Sequence, residues 1–229
     1  MNFKDESIYY FKRIFERKTL QSKREKVSYN QFYKHKSIFV HIPKTAGVSV
    51  SVSLLGKPIA HLTALDYRTI YGKEEFNNCF KFSIVRNPFT RLISSYEFVQ
   101  SGGYGPKDEK IVAIVKPYKS LGDFVMQYLT PATAKALRYF RPQHFFICDS
   151  SDHIMVDYLG HFEELEKDYE YIREKIGVGE PLQKLNVTKT KKLSFGEYYY
   201  NDEILQKVLS IYHKDFELFG YSKELSAIL

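Results

Sequence analysis

The sequence predicts an α/β fold in which a parallel β-sheet is flanked by helices. Two almost uniformly apolar runs, residues 37–42 and 80–85, are typical of strands that are buried on both faces of a parallel sheet. A polar loop and then a helical pattern follow each run, and two more helical stripes occupy residues 162–176 and 202–219. Strands that alternate with helices favour a parallel sheet, because parallel neighbours need a crossover connection.

The composition is ordinary for a soluble globular protein, with 44% hydrophobic and 27% charged residues among 229. Two cysteines, Cys79 and Cys148, provide neither a disulfide framework nor a metal-ligand spacing, which favours a reducing compartment. The sequence contains no apolar run of membrane-spanning length and no apolar core of the signal-peptide type at its N-terminus. We therefore expect a cytoplasmic location.

The net charge of +7 is concentrated at the N-terminus. Residues 1–36 contain ten of the 34 basic residues and four of the 27 acidic ones, which leaves 24 basic and 23 acidic residues for 37–229. We divide the chain accordingly into a basic N-terminal arm or helix, 1–36, and a single α/β domain, 37–229. The domain is too close to neutral to predict nucleic-acid binding. For the arm, a helix on the domain edge is favoured over peripheral membrane contact.

The first strand leads into a loop that is suited to an anion. Lys44, Thr45 and Ser49 supply a positive charge and two hydroxyls, and Gly47 allows close approach of the backbone. The helix that follows is expected to end near Gly56. N–H groups at a helix N-terminus point at an anion, and the helix dipole favours negative charge there.

The second strand, 80–85, follows a mixed region that is expected to include a short helix. Asn87-Pro88 is predicted to form a turn, with Thr90 as the cap of the next helix. The next region, 101–119, is rich in Gly, Pro and Lys and is predicted to be a mobile loop. After it the sequence predicts a helix at 120–129, a strand or extended segment at 138–147 and a strand at 153–158. The two helical stripes follow and stop at Gly177 and Gly220.

The order of residues in the first loop distinguishes it from the common triphosphate loop. In that loop the lysine follows a glycine directly, whereas here Lys44 precedes Gly47. The stretch HIPKTAGVS, residues 41–49, resembles the 5′-phosphosulfate loop of sulfotransferases that use 3′-phosphoadenosine 5′-phosphosulfate (PAPS). FKFSIVRNPFTRLISSY, residues 80–96, is similar to the 3′-phosphate motif of the same family. The chain therefore resembles the branch that contains carbohydrate sulfotransferases and their bacterial relatives.

This resemblance implies a P-loop-like nucleotide-binding sulfotransferase fold and an O-sulfotransferase activity. PAPS would be the donor, 3′-phosphoadenosine 5′-phosphate (PAP) the product, and a hydroxyl of a saccharide or glycolipid-type molecule the acceptor. No metal is expected, because the donor is already activated and no metal-ligand cluster is visible. The implied donor-binding residues are Lys44, Thr45, Ala46, Gly47, Val48, Ser49, Arg86 and Ser94.

Sulfuryl transfer depends mainly on positioning and charge stabilisation, as phosphoryl transfer does. Lys44 can neutralise the charge that develops on the bridging oxygen, and the planar fork of Arg86 suits a phosphate. The hydroxyls of Thr45 and Ser49 can bind the anion, cap the helix, or do both. Arg91 is expected on the surface or behind the residues that contact the donor.

An acceptor hydroxyl must lose a proton as it attacks, which a histidine or an acidic residue can accept. The family's base usually lies between the two motifs, and His61 is the histidine in that interval, beside the acids Asp66, Glu74 and Glu75. His61 is therefore the candidate base, with a structural role as the alternative. His41, inside the first motif, is expected to be structural, with contact to the ligand as the alternative.

The C-terminal third carries a looser resemblance to the family at Gln143, Phe162-Glu163, Leu185-Asn186 and Tyr212 to Tyr221. The basic segment 188–192 could close over the donor or be a solvated loop. Two other functions stay open: a nucleotide-binding kinase of similar fold, and a non-enzymatic module that binds membranes or nucleic acid through the arm. The sequence leaves the acceptor, the adenine contacts and the oligomeric state open.

Overall fold

The computed structural model describes residues 34–183, 185 and 195–224. Most of the predicted basic arm, together with Asn186 and the segment 188–192, lies outside the described residues. In chain order the described elements are β1 (Ser37–Phe39), α1 (Gly47–Leu55), α2 (Ala64–Tyr71), α3 (Lys73–Asn78), β2 (Phe80–Val85), α4 (Pro88–Gln100), a 3₁₀ helix (Gly105–Asp108), α5 (Glu109–Val115), α6 (Leu121–Gln127), α7 (Pro131–Ala136), α8 (His144–Ile147), β3 (Tyr158–His161), a second 3₁₀ helix (Phe162–Glu164), α9 (Leu165–Ile176), α10 (Phe195–Tyr198) and α11 (Asp202–Leu218).

The three described strands form one parallel sheet in the order β1-β2-β3. Phe82 in the central strand pairs with Phe39 on one side and with Tyr158 on the other. The predicted α/β fold with a parallel sheet is confirmed. Strand β1 is shorter than the predicted run 37–42, although Val40 still donates its N–H to the carbonyl of Phe82 at 2.9 Å.

Helices pack on both faces of the sheet. Phe39, Phe82 and Ile84 share a buried cluster with α1 and α9. Ile38 and Val85, whose side chains point to the opposite face, belong to a cluster that includes α2. The carboxyl ends of β1 and β2 are thus held between two packed layers.

Three sequence predictions for the middle of the chain are wrong. Residues 138–147 form no strand and end in the helix α8, and the strand predicted at 153–158 lies at Tyr158–His161. The cap of α4 is Asn87, which accepts from the N–H of Phe89 at 2.9 Å, with a proline in the first turn. Thr90 instead donates to the carbonyl of Asn87.

The region 101–119, predicted as a mobile loop, contains a 3₁₀ helix and α5. The buried Asp108 fixes its first part by accepting from the backbone N–H of Tyr104 at 2.8 Å. A buried carboxylate needs such donors, since it would otherwise lose its hydration without compensation. Among the described helices, none is long and apolar enough to cross a membrane.

Candidate functional site

A cavity of about 680 Å³ lies beside the carboxyl ends of β1 and β2, where ligands bind in parallel α/β sheets. Most of the predicted site residues line it: Lys44, Ala46, Gly47, Val48, Ser49, His61, Arg86 and Ser94. Of the predicted site residues, Thr45 does not line the cavity. The two sequence motifs, which are separated by about thirty residues in the chain, therefore meet at one cavity.

The loop before α1 has an unusual backbone. Lys44 and Ala46 adopt φ values of 70° and 62°, in the left-handed region that side chains other than glycine rarely occupy. Each such residue costs on the order of 1–3 kcal/mol, and strain of this kind concentrates at ligand sites. Ala46 is the N-cap of α1 and offers no side-chain hydrogen bond to the helix. The interpretation of Thr45 and Ser49 as helix caps is therefore wrong.

The hydroxyls of Thr45 and Ser49 hold the loop in place. Thr45 is fully buried and donates to the carbonyl of Ile42 at 3.0 Å. Ser49 Oγ accepts from the N–H of Leu185 at 3.1 Å and donates to the carbonyl of the same residue at 3.3 Å. Ser49 thereby fastens a C-terminal segment along the cavity. Direct contact of either hydroxyl with a donor would need these bonds to rearrange.

Gly47 is required by a neighbouring side chain. A β-carbon at this position would overlap the imidazole ring of His41. The ring of His41 in turn lies 4.1 Å from the ring of His61, centroid to centroid. The close approach predicted at Gly47 is thus used by a histidine of the preceding strand end.

Two cations enter the cavity from different elements. Lys44 Nζ lies 4.1 Å from the centroid of the Phe98 ring, and the guanidinium of Arg86 lies 4.1 Å from that of Phe162. Arg86 Nη1 also donates to the carbonyl of Lys44 at 3.3 Å. Burial lowers the pKa of Arg86 to about 10, partly offset by Glu163, so Arg86 keeps its charge at neutral pH.

The side chain of Gln143 holds the backbone of Arg86 through two hydrogen bonds. The sequence pointed to Gln143 only through the looser family resemblance. The amide of Gln143 accepts from the N–H of Arg86 at 2.9 Å and donates to its carbonyl at 2.8 Å. Buried Asp215 in α11 accepts from the N–H of Gln143 at 2.6 Å. Glu163 accepts from the N–H of Asn87 at 2.9 Å. Three separate parts of the chain therefore fix the end of β2.

Arg91 is buried, so the prediction of a surface position is wrong. The alternative prediction, a place behind the residues expected to contact the donor, agrees with the structure. Its Nε donates to the carbonyl of Pro43 at 2.9 Å, directly before Lys44. Burial lowers its pKa from the ordinary arginine value. Ser94, on the same helix, lines the cavity, whereas Ser95 donates to the carbonyl of Tyr139 at 2.8 Å.

His61 lies 3.1 Å, at Nδ1, from the carbonyl oxygen of His41. A carbonyl oxygen only accepts, so Nδ1 carries the hydrogen and Nε2 carries the lone pair. Burial is the main reason that the pKa of His61 falls to about 4, so the ring is neutral at pH 7 and can accept a proton. His41, expected to be structural, also lines the cavity, and burial lowers its pKa as well.

The acids between the two motifs do not line the cavity. Asp66 forms a capping box with Thr63 at the start of α2, and Glu74 and Glu75 lie in the first turn of α3. An acidic stretch formed by Glu163, Glu164 and Glu166 does line it. Of these three, the sequence pointed only to Glu163, as part of the looser family resemblance, and gave no signal for Glu164 or Glu166. The described residues contain no cluster of His, Cys, Asp and Glu that could hold a metal ion.

Comparison with known proteins gives the following findings. The family model described as "Sulfotransferase family" matches residues 60–222, a range that includes Arg86 and Ser94 and begins after the loop at 41–49. Carbohydrate sulfotransferase 10 of Xenopus laevis is 30% identical over 182 residues, which cover 66% of this chain and 49% of the relative. The protein of that name from Danio rerio is 28% identical over 240 residues, covering 83% and 65% respectively. The human one is 28% identical over 170 residues, covering 63% and 47%.

The chain thus spans about half to two thirds of the length of these curated relatives. No solved structure matches it significantly.

Proposed function

This chain belongs to the sulfotransferase family, and from that premise we propose that it transfers a sulfuryl group from PAPS to a hydroxyl of a saccharide or glycoconjugate, releasing PAP. One observation carries the proposal: the Lys44 loop and the Arg86 motif converge on one cavity. A donor with phosphates at both ends needs two such cationic places. The names of the relatives support a carbohydrate acceptor.

The residues present fit this donor. The N-terminus of α1 has no side-chain cap, and its N–H groups with Lys44 suit the phosphosulfate end. Arg86 and Ser94 suit the 3′-phosphate. When bound, PAPS supplies the activated sulfuryl group. Lys44 then neutralises the charge that develops on the bridging oxygen, which is an electrostatic contribution to the transition state.

His61 is the proposed base, because its Nε2 carries the lone pair and it shares the cavity with Lys44. A pKa of about 4 makes a weak base in the unliganded protein. The negative charge of a bound donor would raise this pKa, because a nearby opposite charge favours the protonated form. The donor would thus activate His61 when it is needed.

The family match favours sulfuryl transfer over the kinase alternative. The alternative of a binding module depends on the basic arm, which lies outside the described residues, and nothing in the structure favours it. The cytoplasmic location and the domain boundary at residue 37 stay predictions.

Calorimetry with PAP, AMP and ATP tests the donor site. We expect PAP to bind at least tenfold more tightly than ATP. Arg86→Gln should lower PAP affinity by about ten- to a hundredfold, since a hydrogen bond to a charged group is lost, while AMP affinity, which involves no 3′-phosphate, should stay within about twofold.

Arg173→Gln is the matched control and should bind PAP normally, because Arg173 lies in the last turn of α9, pairs with Glu170 and does not line the cavity. Tighter binding of ATP than of PAP would support the kinase alternative and contradict the proposal.

A further inference from the structure

An aromatic wall adjoins Lys44 in the cavity. Phe98, Tyr104 and Tyr139 all line the cavity. The Phe98 ring lies 4.9 Å from that of Tyr104 and 5.0 Å from that of Tyr139, both edge to face. Lys44 Nζ lies over Phe98, whereas Arg86 lies over Phe162, so this wall contacts the lysine and the second cation contacts a different ring.

Tyr104 stands out in this wall because 54% of it is exposed. Its backbone is nonetheless fixed, since its N–H donates to the buried Asp108 at 2.8 Å. Asp108 also accepts from Tyr139 Oη at 2.8 Å and from Arg138 Nη2 at 2.6 Å. Gly103, with a φ of 60°, has no room for a β-carbon against the Asp108 carboxylate.

A tyrosine held in this way offers a large ring at a low cost in conformational entropy. The cluster behind it serves to present that ring to the cavity. Its charges offset each other, because Asp108 pairs with Arg138.

The candidate base, His61, lines the same cavity. Both Arg138 and Asp108 are close enough to influence the charge state of His61. The aromatic wall, the lysine and the base thus surround one part of the cavity, where the acceptor hydroxyl must meet the sulfuryl group.

We propose that Phe98 and Tyr104 form the acceptor subsite and that it takes one pyranose ring, whose apolar C–H face stacks on Tyr104. Aromatic faces carry negative charge density, which attracts the polarised C–H groups of a sugar. Such stacking leaves the ring hydroxyls at the sugar's edge free to meet Lys44 and His61. This inference rests on the proposed function and adds to it the residues that hold the acceptor.

Initial rates with PAPS and a panel of methyl pyranosides test the subsite, together with calorimetry of PAP. Tyr104→Ala should raise the KM for the pyranoside about tenfold and leave PAP affinity within twofold of the wild type. Tyr104→Phe, which keeps the ring, should behave as the wild type. Tyr200→Ala is the control, because Tyr200 is similarly exposed and does not line the cavity.

An unchanged KM in Tyr104→Ala would overturn the proposal, and so would a higher kcat/KM for phenol than for every pyranoside. A wild type that binds PAP but sulfates no pyranoside would also overturn it while leaving the donor site intact. A wild type that does not bind PAP would instead overturn the proposed function itself.

Discussion

At the residue scale, the two histidines beside the loop combine packing with chemistry. His41 fills the space that Gly47 leaves open, and its carbonyl orients His61. Both rings are buried, and burial disfavours the charged imidazolium, which lowers the pKa of each. The pair is therefore neutral at the pH where the protein is expected to act.

His61→Asn tests the assignment of the base. Asparagine keeps an N–H that can donate to the His41 carbonyl but cannot take up a proton, so kcat should fall about 10²- to 10⁴-fold. Because the pKa of His61 is about 4 in the unliganded protein and the neutral form is the active one, wild-type kcat/KM for PAPS, which reports the free enzyme, should be flat from about pH 5.5 to 8 and fall only at lower pH. The measurement is the pH profile of both proteins.

His153→Asn is the control, because the His153 side chain is 80% exposed. An unchanged rate in His61→Asn would move the base elsewhere. If wild-type kcat/KM for PAPS instead fell below about pH 6.5, and this fall disappeared in His61→Asn, the buried, neutral state of the ring would be contradicted.

The sequence located the positions of the loop but not their contacts. The pattern HIPKTAGVS predicted which residues lie near the cavity, because the order of residues in a motif can be read directly from the sequence. The pattern could not predict the hydrogen-bond partners of Thr45 and Ser49. Ser49, for example, bonds to Leu185, which lies 136 positions away in the chain. Arg91 was misjudged for the same reason: its burial depends on tertiary contacts with Pro43 and Tyr139.

At the element scale, the turn before α8 determines where the Arg86 backbone lies. Gln143 reaches across to the end of β2, and Asp215 in α11 holds Gln143 and His144 from behind, with a 2.7 Å contact to His144 Nδ1. The segment 138–147, which the sequence predicted to be a strand or extended segment, thus supports the candidate phosphate site.

Gln143→Leu tests this support. It leaves the N–H and the carbonyl of Arg86 without their partner, at a cost of about 1–3 kcal/mol for each unsatisfied buried group. We expect a lower Tm and a rise of about tenfold in the KM for PAPS, with kcat little changed, because Arg86 would bind the ground state and the transition state alike. Thermal unfolding and initial rates measure the two effects.

Gln100→Leu is the matched control. Gln100 donates to the carbonyls of Val115 and Tyr118, so its loss should lower the Tm without affecting the KM for PAPS. An equal rise in KM in both variants would mean that Gln143 acts through stability alone.

The longest helices were predictable, whereas several of the short elements were not. The helices that end at Gly177 and near Gly220 follow clear apolar stripes, and β2 lies within the predicted bounds. Short helices such as α7 and α8 have too few turns to show a periodicity. Strand β3 has only four residues and was displaced in the prediction, because its place depends on pairing with β2.

At the scale of the whole molecule, one sheet brings two distant motifs together. Parallel strands place their carboxyl ends on one edge, so the loops after β1 and β2 become neighbours whatever their separation along the chain. This is why the fold class could be predicted from the sequence, and why the two predicted motifs meet at one cavity. The cavity's other walls, which come from α4, the Asp108 loop and the start of α9, are joined by tertiary packing that no local pattern shows.

We propose that Lys44 stabilises charge at the transferred sulfuryl group, and Lys44→Met tests this role. Methionine keeps the length of the side chain and removes its charge. The rate of sulfuryl transfer from labelled PAPS should fall about 10²- to 10³-fold, the usual cost of losing one preorganised electrostatic contact. PAP affinity should change far less, and Lys110→Met, at an exposed position of α5, should leave both unchanged. Full transfer activity in Lys44→Met, with PAP still bound, would contradict this role of Lys44.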